Sequence, residues 1–86
     1  MSCRIDRQVI EGSLVILRIS GRITAEDLDM LRDVLAGESG AVAIDLGNVL
    51  LVDRDVVKLL VICEADGVEL RNCPAYIREW IAREKA

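Results

Sequence analysis

Histidine is absent from the 86 residues, which removes the commonest metal ligand and the side chain best suited to general acid-base work near neutral pH. Phenylalanine is absent too, and Tyr76 and Trp80 are the sole aromatics. The core must therefore be aliphatic, and no stacking platform for single-stranded nucleic acid is expected. Cys3, Cys63 and Cys73 are an odd count with no C-x-x-C pair, which argues against a disulfide framework or a metal knuckle and for small apolar packing residues in a reduced compartment. No apolar run approaches the ~18 residues needed to span a bilayer, and "MSCRIDRQVIEG" carries charges where a signal peptide needs its apolar stretch. A cytoplasmic location without membrane insertion is expected. Eleven basic residues are scattered among fifteen acidic ones for a net charge of −4, so the clustered cations that hold a phosphate backbone are missing and nucleic acid is not an expected partner.

What is present is a strongly patterned aliphatic chain with one proline, short enough to form one domain, residues 1–86, around one core. Residues 3–10 roughly alternate and suit an edge strand. After Glu11-Gly12-Ser13, the run LVILRIS is apolar on both faces and suits an interior position. Thr24 and Asp27 approximate a capping box ahead of a helix carrying Leu28, Leu31 and Leu35 at helical spacing, closed by Gly37. AVAIDL, residues 41–46, reads as a central buried strand. A tight loop is expected over residues 47–52, leading to Asp53 as the N-cap of a largely buried helix through Cys63. Gly67 supplies a left-handed stop, VELR a fourth strand, and Pro74 the first turn of a last helix whose apolar stripe is Ile77, Trp80 and Ile81. Tyr76 and Trp80 are expected in the core.

The order β-β-α-β-α-β-α predicts a small α/β domain. Parallel pairing of strands two, three and four through right-handed crossovers puts the helices mainly on one face of a four-stranded mixed sheet. The other face is thinly covered and leaves room for a partner or a second copy of the chain, a homodimer.

Catalytic chemistry finds little support. Hydroxyls and thiols have no visible base, and Asp53 and Asp55, two apart at a helix start, point in different directions. No glycine-rich phosphate loop or acidic calcium loop occurs. No enzymatic activity, cofactor or metal is expected.

The stretch AIDLGNVLLVDRDVVKLL, residues 43–60, resembles the central signature of the STAS domains, the sulfate-transporter and anti-sigma-factor-antagonist family: an Asp-Leu pair ending a strand, an apolar loop, and an Asp at a helix start. Asp45-Leu46, Val49, Val52, Asp53 and the helix from Val56 match that outline. VILRISGRI and VELRNCPAYIREWI look like the family's second strand and its closing strand, proline and helix, so the likeness runs nearly the length of the chain.

The resemblance implies a phosphorylatable Ser or Thr directly after that Asp, modified by a partner kinase that is itself the anti-sigma factor. Arg54 stands there instead, with Asp55-Val56 following where small residues are usual. A phosphate at a helix N-terminus is electrostatically welcome, whereas a guanidinium there opposes the dipole at about 0.3–1 kcal/mol. The implied function is a regulatory protein-interaction module resembling an anti-sigma-factor antagonist but without a phosphorylation switch. The alternative is an accessory STAS subunit of a lipid or anion transport complex. Partners are accordingly an anti-sigma-factor-like kinase or a transporter subunit, met through a loop surface of Asn48, Val49, Leu50, Asp53, Arg54 and Asp55, with Val49 or Leu50 exposed.

Overall fold

The computed structural model describes residues 3–86, which form four strands and three α-helices in the expected order. Strand β1 (Cys3–Ile10) pairs antiparallel with β2 (Leu14–Ile23); β2 pairs parallel with β3 (Val42–Val52), and β3 parallel with the short β4 (Glu69–Arg71). The sheet order is β1-β2-β3-β4. Each parallel step is made by one helix, α1 (Leu28–Ala36) and α2 (Arg54–Ala65), and right-handed crossovers in one direction put both on the same face. Helix α3 (Ala75–Lys85) packs on α2. The core lies between that helical layer and the sheet: Cys3, Ile19, Ile44 and Leu46 meet Leu31, Val56, Leu60, Ile77 and Ile81.

Local chemistry sets the element ends. Asp27 accepts the Thr24 N–H at 2.9 Å in the expected capping box, ahead of a 3-10 turn over Ala25–Asp27 that leads into α1. Gly67, at φ +96°, ends α2 as expected, with the Val68 N–H donating to the Cys63 carbonyl at 2.9 Å and the Gly67 N–H to that of Glu64 at 3.1 Å. Pro74 differs from expectation by one position. It is the extended N-cap residue of α3, since φ −56° and ψ 145° lie outside the helical region.

The larger correction concerns residues 47–52, expected as a loop. They continue β3 beside β2, with two irregularities in register: Arg18 faces Asp45 but Ser20 faces Asn48, and Gly21 faces Val49 but Arg22 faces Leu51. Each inserts one extra residue into β3, the definition of a β-bulge. The two bulges convert the strand's period from two to three, so Leu46, Val49 and Val52 all face the core while Gly47, Asn48, Leu50 and Leu51 face outward. A period of three matches neither strand nor helix, which is why the stretch reads as irregular. Gly47 sits in a crowded spot at the first bulge, where a Cβ would lie 3.1 Å from Asp45 Oδ1 and 3.3 Å from Asn72 Cβ and would push these side chains aside.

The helix-free face of the sheet carries charged side chains across its middle and apolar ones, Ile10, Leu14 and Ile16, toward the β1–β2 turn. Asp6, Arg18, Asp45 and Arg71 are directly opposed across all four strands, forming one row of alternating charge. The next row is Gln8, Ile16, Ala43 and Glu69. Ile16 is only 5% exposed and Ala43 0% although no helix lies over them.

Candidate functional site

Where β3 gives way to α2, the chain builds a rim around Asp53. This residue is extended (φ −105°, ψ 177°), and its carboxylate accepts the Val56 N–H at 3.1 Å as the N-cap of α2. The other carboxylate oxygen accepts the Ala25 N–H at 2.7 Å. One side chain therefore satisfies backbone donors at the starts of two helical segments, and joins the ends of β2 and β3.

Arg54 follows as the first residue of α2, with its side chain 68% exposed. Its Nε lies 3.3 Å from Glu84 Oε2 near the end of α3. The guanidinium is thus answered by Glu84, in addition to Asp53 and the exposed Asp55, and the unfavourable placement of a cation at a helix N-terminus is locally offset. Between Asn48 and Leu60 no side chain carries a hydroxyl.

The apolar part of the rim differs from expectation. Val49 is 6% exposed and belongs to the core, because the bulges turn it inward. Leu50, at 74%, is exposed as expected, and it is joined by Leu51 at 50%, which the sequence reading did not single out. Tyr76, expected in the core, lies at the surface instead. Its hydroxyl donates to the Leu50 carbonyl at 3.2 Å, bracing the bulged segment from the start of α3. Trp80 packs against the core, half-buried, as expected. The structure therefore groups Asn48, Leu50, Leu51, Asp53, Arg54, Asp55 and Tyr76 around one edge, and removes Val49. Leu51 could have been found from the Leu-Leu pair; Tyr76 and Glu84 could not, since they are 26 and 30 residues from their partners.

This arrangement has the composition of a docking surface, in which exposed aliphatic and aromatic groups sit among charges. Burial pushes the thiols of Cys3, Cys63 and Cys73 above their ordinary range, so they are poor nucleophiles. Among the described residues no His, Cys, Asp or Glu cluster could hold a metal, and no helix is long and apolar enough to cross a membrane. An open groove of about 660 Å³ lies between the C-terminal ends of α1 and α2, floored by Leu35, Leu59, Ile62 and Cys63, on residues separate from the Arg54 rim. Of its charged residues, Glu38 is held by Arg7 at 2.7 Å and Arg32 lies 3.8 Å from Asp29.

The fold is that of a small STAS-like α/β domain. Among solved structures, the chain is similar to an antisigma-factor antagonist, a STAS domain from Rhodobacter sphaeroides, with a TM-score of 0.62 over 81% of this chain and 84% of that one, at 17% sequence identity. No protein-family model matches the chain, and no curated protein matches it in sequence.

Proposed function

We propose that this chain is a non-enzymatic regulatory module that docks on a protein partner through the rim at the start of α2, in the manner of an anti-sigma-factor antagonist without a phosphorylation switch. The observation that carries the reading is the exposed Arg54 on the first residue of α2, beside exposed Leu50 and Leu51, in a stretch with no hydroxyl. A phosphoryl group at that position would bring about −1.5 to −2 charges. Arg54 holds a permanent positive charge there, so the rim presents one electrostatic state. Two leucines with a neighbouring arginine supply the apolar anchor and fork-shaped donor that concentrate binding energy in protein interfaces.

Affinity capture from the native host with the full chain as bait, read by mass spectrometry, tests this directly. An anti-sigma-factor-like kinase should be recovered, and Arg54→Glu and Leu50→Asp baits should each recover much less of it. Unchanged recovery by both variants, or phosphate on any residue near 54 after incubation with that kinase and ATP, would refute the reading. Recovery of a transporter ATPase instead would favour an accessory subunit of a membrane transport complex.

A further inference from the structure

The charge row on the helix-free face has a symmetry that the fold does not require. In strand order it reads Asp6, Arg18, Asp45, Arg71, which is negative, positive, negative, positive. Reversing the order inverts every sign. We infer that this face is a self-complementary docking surface for a second copy of the chain, related by a two-fold axis that runs parallel to the strands above the β2–β3 junction.

Two in-plane axes could bring this face against itself, and the charges select between them. An axis perpendicular to the strands lays each strand over its own copy, so Asp6 meets Asp6 and Arg18 meets Arg18. An axis parallel to the strands lays β1 over β4 and β2 over β3 of the other copy, so Asp6 meets Arg71 and Arg18 meets Asp45. The adjoining row obeys the same operator at its ends: Gln8 meets Glu69, an amide donor against a carboxylate. Such an interface is isologous, with each contact made twice.

Within one copy the centre of the row is more fully engaged than its ends. Arg18 lies 3.7 Å from Asp45, which also accepts the Gly47 N–H at 2.8 Å and the Asn72 amide at 3.0 Å. The outer members, Asp6 and Arg71, have their in-chain contacts to Arg4 and Glu69, and their side chains stay 53% and 38% exposed. The guanidinium at the row's positive end, Arg71, therefore keeps hydrogen-bonding capacity for a facing carboxylate. Four strands span only about 15 Å, so the covered face falls short of the ~800 Å² per partner of a standard interface. The dimer is accordingly weak, in rapid exchange and sensitive to salt. It leaves Arg54 at the start of α2 uncovered, and its test reads self-association of the chain alone, so its failure is distinguishable from that of the proposed function.

Sedimentation equilibrium of the full chain at up to about 1 mM, in roughly 20 mM and 500 mM salt, tests the inference. A dimer is expected at low salt and a monomer at high salt. Asp6→Arg opposes two arginines at both ends of the interface and should weaken association at least about tenfold, as should Arg71→Asp through two opposed acids. The double variant Asp6→Arg with Arg71→Asp restores opposite signs under the same axis and should recover the dimer. Circular dichroism melts confirm that each variant is folded, and the wild-type salt series decides independently of them. A wild-type chain that stays monomeric at low salt, a dimer indifferent to either single reversal, or a folded double variant that fails to dimerise would each overturn it.

Discussion

Replacing Asp53 by alanine removes both of its backbone contacts at once. An ordinary N-cap is worth about 1 kcal/mol, and a hydrogen bond to a charged group about 1.5–3 kcal/mol before discounting for exposure. Asp53 is half-buried, so the Ala25 contact takes the low end of that range, and the expected total is about 2–3 kcal/mol. For a chain of this length the whole stability is about 4–13 kcal/mol. Urea denaturation followed by circular dichroism should show the midpoint falling by about 2 M, with a slope of roughly 1 kcal/mol/M. Asp53→Asn is the informative companion: its single oxygen keeps the Val56 cap but presents an amide to the Ala25 N–H, so about half of the loss should remain. An alanine variant that loses no more than a single cap, or an asparagine variant as unstable as alanine, would refute the double role.

Gly47→Ala should destabilise by about 1–2 kcal/mol, because its Cβ would press on Asp45 Oδ1 and Asn72 Cβ at the first bulge; thermal melts check this, and a neutral result would mean that Asn72 yields freely. Acid titration should weaken the fold. Hydrogen bonding to Arg7 lowers the pKa of Glu38, and hydrogen bonding to Arg78, then Lys85, lowers that of Glu64, so the unfolded chain takes up protons first. Stability is then held above the ordinary glutamate pKa of 4.5 and lost as pH falls through the lower folded-state values. A Glu38→Gln, Glu64→Gln variant should show a flatter acid limb in urea midpoints measured from pH 6 to pH 3, and an unchanged limb would count against both pairs.

Much of the architecture is readable from residue pattern because strand and helix periods are local. The alternation of Cys3–Ile10, the continuous apolar run of β2 and the Asp53 and Gly67 stops each act within a few residues. The crossover rule then fixes the one-sided helical layer. Residues 47–52 read as a loop because two bulges impose a three-residue period that no regular element has, and for the same reason the pattern leaves open whether Val49 or Leu50 is the exposed one. Tyr76 reads as a core aromatic, whereas its hydroxyl finds the Leu50 carbonyl at the surface. Asp53 and Arg54 were legible as a cap and its neighbour. The Ala25 contact of the first and the Glu84 partner of the second depend on tertiary geometry.

The doubly bulged end of β3 also bears on how such a domain can change. An ordinary strand commits every second side chain to the interior, whereas from Leu46 to Val52 this one commits every third. Gly47 is crowded by Asp45 and Asn72, but Asn48, Leu50 and Leu51 face outward and are exposed. Three closely spaced positions can therefore be rewritten while the scaffold beneath them keeps its shape, which makes this short segment the natural address label of the molecule.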